Sequence, residues 1–462
     1  MKNSIKKIFW LISLMFFLVI IWLGKINFID REKFNVNPYN PRLQYTDTTI
    51  KRGNIKDING EVIAESEYTE NGYIRNYPRS RMAAHITGYS AVGKTGVEAA
   101  ENFELETVDN EVLQRILNAF TGTEVKGNDV VLTIDMDIQS IAGDLLGEQK
   151  GAIVVMEPST GRILAMQSYP DFNPNTILDD WDNLKSDEDS PLINRTTQGL
   201  YPPGSTFKMV TAIAAMEYLD DWETFTVECD GEAEFNDKVI HCYNNKAHGT
   251  VDMHDAMAQS CNCYFAEIGK RIGGENLRKV ADRLFANSSI GFDMPSSQSS
   301  VVIDKSSSES ELVETSIGQG KTVVTPMYMA TLVSAVANGG IMKKPYIVDH
   351  IENYEGEVLK TTIPETIGEV MTYEEATALR DMMIDVVNEG TGTAASLKGY
   401  QAAGKTGTAE NESGIDHSWF VGFAPAENPE VAVAVILENA EGNKKATPIA
   451  GKIMQAVLDS KW

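Results

Sequence analysis

The stretch from Ile8 to Gly24 carries no charged residue, and it constrains this 462-residue chain more than any other. A backbone placed in hydrocarbon must satisfy every N–H and C=O internally, so such a run folds as a helix. It is at the short end for a bilayer crossing, and Ile26 to Ile29 extend it. A cleaved signal peptide would look similar. However, Trp22, Leu23, Gly24 and Lys25 offer no small-x-small cleavage site, which favours an uncleaved anchor. Lys2, Lys6 and Lys7 precede the run and place the short tail in the cytoplasm. The expectation is a single-pass protein of the cell membrane with an extracytoplasmic body.

The net charge of -26 argues against nucleic acid as a partner and against a polybasic membrane contact. The cysteines are Cys229, Cys242, Cys261 and Cys263. Outside the membrane a disulfide is allowed, and Cys229 with Cys242 would close a short loop. Free thiols are a second reading. A third is zinc held by Cys229, Cys242 and His248, for which no fourth ligand is evident. All three stay open. Cys261 and Cys263 flank Asn262 and read as small buried thiols beneath the site.

Polar residues from Asp30 to Thr49 read as a stalk. Apolar and polar residues then alternate around Asn59-Gly60, a hairpin signal, and Glu98 to Leu117 reads as helical. Near Asp129 a new module begins, with strands at 130–135, 151–156 and 162–168. Helices follow at 205–218, 253–272, 276–284, 326–337 and 373–388, and the last strands surround Lys405 and run from Val431 to Leu437. Strands at both ends with helices between predict an α+β domain whose terminal strands share one sheet. The division is 1–28 for tail and anchor, 29–125 for a non-catalytic module, and 126–462 for the catalytic domain.

Three polar motifs carry the chemistry: Ser205-Thr-Phe-Lys208, Ser260-Cys-Asn262 and Lys405-Thr-Gly407. Three positions apart on a helix, Ser205 and Lys208 emerge from one face, so the amine can serve as base for the alcohol. Tyr201-Pro-Pro-Gly204 is a turn signal that puts Ser205 at a helix N-terminus, where free N–H groups favour negative charge. Each motif alone is weak; a second Lys-Thr-Gly at Lys94 lies among Gly88, Gly93 and Gly96 and is discarded as a loop. The plain alternatives are a capping serine, polar residues inside a helix and a solvated lysine. Order and context argue against all three.

With Pro203-Gly-Ser-Thr-Phe-Lys208, Ser316-Ile-Gly-Gln-Gly320, Gly404-Lys-Thr-Gly-Thr-Ala409 and Trp419-Phe-Val-Gly-Phe-Ala-Pro425, the chain resembles a class B penicillin-binding protein over nearly its whole length. Arg52-Gly-Asn-Ile-Lys-Asp-Ile-Asn-Gly60 and His85-Ile-Thr-Gly-Tyr89 are similar to that family's N-terminal module. Ile58 and Tyr328 depart from the usual arginine and glutamine. The resemblance implies an α+β penicillin-binding and serine β-lactamase-like transpeptidase domain, a sheet flanked by helices, above a small pedestal domain and one transmembrane helix. It further implies cross-linking of peptidoglycan stem peptides, inhibition by β-lactams, a separate glycan polymerase as partner, and neither cofactor nor metal in the chemistry. In that scheme Lys208 deprotonates Ser205, Ser260 relays a proton, Asn262 bonds the substrate amide, and Lys405 with Thr406 attracts the terminal carboxylate. The N–H groups of Ser205 and Thr408 hold the oxyanion, and Gly407 leaves room for substrate. A β-lactam hydrolase or sensor, a D,D-carboxypeptidase and an idle scaffold are the competing readings.

Overall fold

The computed structural model describes residues 2–28, 51–106, 126–236, 238–440, 442 and 445–460. The expected stalk lies outside them. The helix Lys2–Phe28 includes Lys6–Lys25, with mean hydropathy 2.3 and no part buried, enough by length and composition for one membrane crossing.

Alternation around Asn59-Gly60 produces the expected hairpin: Ile55–Lys56 pairs antiparallel with Val62–Thr69, and Gly60 supplies the positive φ of 84°. The sheet then joins distant parts of the chain. Ile55–Lys56 runs parallel to Asp129–Leu132, which pairs antiparallel with Val348–Glu352, followed by Val358–Thr361; Gly72–Asn76 closes the other edge. Lys56 Nζ ties three of these strands, 2.9 Å from both Asp129 and Glu352. Where Glu98 to Leu117 reads as one helix, the described part is two short ones, Gly96–Ala100 and Asn102–Glu106; residues 107–117 lie outside the description. Glu98 is fully buried there. Its carboxylate receives Arg52 at 2.7 Å and Arg75 at 2.5 Å, and Arg52 also donates to Asn102 at 2.8 Å.

The strand expected at 130–135 stays in the sheet of Ile55–Lys56, but those expected at 151–156 and 162–168 do share a second sheet with the last strands. Its order is Ala403–Ala409, His417–Ala424, Val431–Leu437, Gly151–Met156, Ile163–Tyr169, antiparallel throughout. Both faces are covered, which explains the unbroken apolar run at 431–437. Ala432, Ala434 and Ile436 face a core containing Met327 and Leu332 of the helix Pro326–Ala337. Val431, Val433, Val435 and Leu437 face Ile449, Ile453 and Val457 of the helix Ala446–Asp459. Ala403–Ala409 is the sheet's edge, so one row of its backbone groups is free of strand pairing.

The single helix expected over 253–272 is broken. Met253–Gln259 ends at Ser260, left-handed at φ 58° and ψ 43°, and a second helix, Asn262–Ile272, begins with Cys261 as its cap. The apolar spacing is continuous across the break, so periodicity could not reveal it.

Candidate active site

The Ser205 motif begins with a tight 3-10 turn, Gly204–Phe207, which feeds the helix Lys208–Tyr218. Three contacts fix the turn. Gly204 N–H donates to Gly318 O at 2.9 Å, Trp419 Nε1 donates to Pro202 O at 3.0 Å, and Thr206 Oγ1 donates to Pro203 O at 2.7 Å. Gly204 sits at φ +52°, and a Cβ there would lie 2.3 Å from Thr408 O; a Cβ on Gly318 would lie 2.0 Å from Gly204 O. The turn is thus wedged between the edge strand and the Ser316 to Gly320 segment. Gly204→Ala is expected to cost at least about 1–2 kcal/mol for the left-handed backbone. It should also slow acylation by penicillin more than it lowers Tm, because the clash moves Thr408 away from Ser205; paired thermal melts and acylation rates check this.

Lys208 is fully buried, and its Nζ donates to Ser260 O at 2.8 Å, Ser260 Oγ at 3.2 Å and Asn262 Oδ1 at 2.6 Å. Burial lowers its pKa to about 8, against the opposing pull of nearby Cys261, Cys242 and Cys263. Lys405 is equally buried and donates to Ser260 Oγ at 3.0 Å and Thr406 O at 3.2 Å. Burial, then the charge of Lys208, pushes its pKa well below the ordinary lysine range. One hydroxyl therefore bridges two amines that burial discourages from being charged together.

The structure brings Lys208, Ser260, Asn262 and Lys405 into one hydrogen-bonded set, with half-buried Ser205 in the turn directly before Lys208. Thr406 and Thr408 are half-buried on the edge strand. Gly407 differs from expectation: a Cβ there would meet Pro203 O, Thr206 Cγ2 and Trp419 Cβ, each at 3.0 Å. The space on its side-chain face is filled by the turn at residues 203–206 and by Trp419. The second Lys-Thr-Gly lies in the N-terminal module, with Lys94 3.3 Å from Glu106.

Some residues escaped the sequence reading. Thr391 Oγ1 lies 2.6 Å from Thr406 Oγ1, and the carbonyl of His241 receives Asn262 Nδ2 at 2.8 Å. The glycines flanking Thr391 were the available signal for the first; a backbone carbonyl leaves none. The four cysteines are buried free thiols, and the Sγ atoms of Cys229 and Cys242 stand 3.7 Å apart, so the disulfide reading does not hold in this structure.

Comparison with known proteins follows the same lines. The penicillin binding protein transpeptidase domain profile matches residues 151–455, and that of the penicillin binding protein A dimerisation domain matches 52–130. Peptidoglycan D,D-transpeptidase PbpA of Mycolicibacterium smegmatis is 30% identical, with 99% of each chain covered. Among solved structures, the imipenem acyl-enzyme complex of penicillin-binding protein A from M. tuberculosis is 31% identical at a TM-score of 0.83, covering 89% of this chain and 99% of that one. The D,D-transpeptidase domain of a peptidoglycan glycosyltransferase from Eggerthella lenta is 33% identical at 0.81, covering 89% and 98%. With its motifs assembled on that fold, the chain belongs to the penicillin-binding protein transpeptidases.

Proposed function

We propose that this chain is a membrane-anchored serine D,D-transpeptidase that cross-links peptidoglycan stem peptides through an acyl-enzyme on Ser205. The observation that carries the reading is Ser260 Oγ held between the amines of Lys208 and Lys405 behind the Ser205 turn. As a neutral amine, Lys208 keeps two donors for Ser260 O and Asn262 Oδ1 and offers its lone pair to the Ser205 hydroxyl. Ser205 Oγ then attacks the penultimate D-Ala carbonyl, and the N–H groups of Ser205 and Thr408 receive the oxyanion. Ser260 passes the proton to the departing D-Ala amine. A neighbouring stem's amine takes the acyl group.

The substrate carboxylate binds Lys405 and Thr406, the latter oriented by Thr391. A carboxylate there favours Lys405 as the charged member of the pair and so Lys208 as the neutral one. Both ends of the Asn262 amide are engaged, so a bond to the substrate amide replaces one of them. The remaining parts of the reading rest on sequence: a cytoplasmic N-terminus, an anchor at 1–28, a pedestal at 29–125, a transpeptidase domain at 126–462, and a glycan polymerase supplied by another protein.

The test uses the full chain in detergent, incubated with penicillin and followed by intact mass over hours. A one-to-one adduct that persists and maps to the Ser205 peptide is expected, with an acylation rate that rises through about pH 8 as Lys208 loses its proton. Rapid loss of the adduct with hydrolysed drug would replace this reading with a β-lactam hydrolase. An adduct on another residue would remove Ser205 as nucleophile.

A further inference from the structure

Behind the Ser260 turn lies a group of side chains that the chemistry above does not use. Cys229 ends the strand Val227–Cys229, Cys242 follows Lys238–His241, His248 precedes Gly249–Val251, and Cys261 occupies the break between the two helices. Cys229 Sγ is 3.7 Å from Cys242 Sγ and 3.5 Å from His248 Nδ1, and Cys242 Sγ is 3.9 Å from Cys261 Sγ. One ligand atom from each of the four lies within 4.8 Å of the others. The three thiols are at most 2% exposed, and His248 is half-buried.

The three shortest of these separations match those across a tetrahedron around one ion, and the rest lie within 4.8 Å. Zn–S bonds of about 2.3 Å and Zn–N bonds of about 2.0–2.1 Å at tetrahedral angles put sulfurs about 3.8 Å apart, and sulfur and nitrogen about 3.6 Å apart. A disulfide would draw two sulfurs to about 2.0 Å and leave the other donors unused. Backbone N–H groups also point inward, that of Tyr264 to Cys261 Sγ and those of Asn262 and Cys263 to Cys242. Thiolates need such donors.

We propose that Cys229, Cys242, His248 and Cys261 form a Cys3His zinc site. Three thiolates and one imidazole select zinc over hard cations, and four protein ligands leave no open position for substrate or water. The role is therefore positioning. Cys261 lies between Ser260 and Asn262, both of which hold Lys208, and Cys242 adjoins His241, whose carbonyl holds Asn262. A single ion fixes both walls of the cleft that orient Lys208. The site stands whether or not Ser205 is the nucleophile; its effect on acylation rests on that reading.

The test is metal analysis of the full chain, purified in detergent with reductant after growth with zinc. One zinc per chain is expected, and cobalt exchanged into the protein should show the absorption of a tetrahedral thiolate complex, a readout that needs no variant. Cys229→Ser and His248→Ala should lose the metal. Cys263→Ser should keep it, although its sulfur lies 3.6 Å from Cys242 Sγ, because it stands outside the four-donor set. Stripping zinc with a chelator should slow penicillin acylation at least about tenfold, restored by zinc alone. Ser205→Ala should retain zinc while forming no adduct, which separates failure of the site from failure of the nucleophile assignment. A metal-free wild type, a Cys229–Cys242 disulfide in the purified protein, or zinc lost equally from Cys263→Ser would overturn the site. An acylation rate indifferent to zinc would overturn its positioning role.

Discussion

Lys208→Ala is expected to slow penicillin acylation of Ser205 by about two to four orders of magnitude, the usual contribution of a positioned general base. Ser205→Ala should form no adduct at all. The informative companion is Lys208→Arg, which preserves a cation but cannot surrender a proton near neutrality. If the amine acts as base, arginine should be as slow as alanine; if the position only needs positive charge, arginine should rescue. The rise in rate through about pH 8 should vanish in both variants. Stability should move the other way. Removing a fully buried ammonium relieves its desolvation, so Lys208→Ala should melt at or above the wild-type temperature. Stopped-flow acylation with fluorescent penicillin, alongside thermal melts, separates these effects.

Glu98→Ala should destabilise the N-terminal module by about 3–5 kcal/mol, the range for breaking a buried ion pair from one side. Glu98 receives both Arg52 and Arg75, so its loss leaves Arg75 without that carboxylate and Arg52 with only the carboxylate of Glu106, at 2.5 Å, among the described residues. Glu98→Gln retains the shape and should cost less. The pH dependence has a definite sign. Burial by itself would raise the Glu98 pKa, but Arg75 and Arg52 overcome it and hold the group below the ordinary carboxylate value of 4.5. Its contribution is therefore complete above that value and is lost as pH falls through the lower folded one. Urea melts of wild type and variant should converge in acid, whereas a gap independent of pH would point to lost packing.

Much of this architecture was legible because local patterns carried it. The hairpin at Asn59-Gly60, the helices Pro326–Ala337 and Tyr373–Asn388, and the sheet that joins Gly151–Met156 and Ile163–Tyr169 to the last strands all follow from periodicity and turn chemistry. The three motifs were visible as spacing. The break at Ser260 was not, because a left-handed serine costs about 1–2 kcal/mol locally and is held by contacts from elsewhere, Lys208 and Lys405 among them. Gly407 was misjudged for a similar reason: only the fold shows that the Ser205 turn fills its open side. Cys261, which completes the four-donor group, was read with Cys263 as a small buried thiol because the two flank Asn262; only the fold brings its sulfur beside Cys242. The sheet joining residues 55–56 to 129–132 and 348–352 was hidden in a strand only two residues long.

That last sheet bears on how the protein can be handled. A fragment beginning at residue 126 would lose the neighbour of Asp129–Leu132, a wholly buried strand, and bare a row of unsatisfied amides beside apolar side chains. Such an edge invites pairing with a second chain, so catalytic fragments cut there should aggregate or swap strands unless residues 52–76 travel with them. In the intact protein the same splice makes residues 55–76 of the N-terminal module and the catalytic body one mechanical piece: a push on that module tilts the cleft rather than flexing a joint.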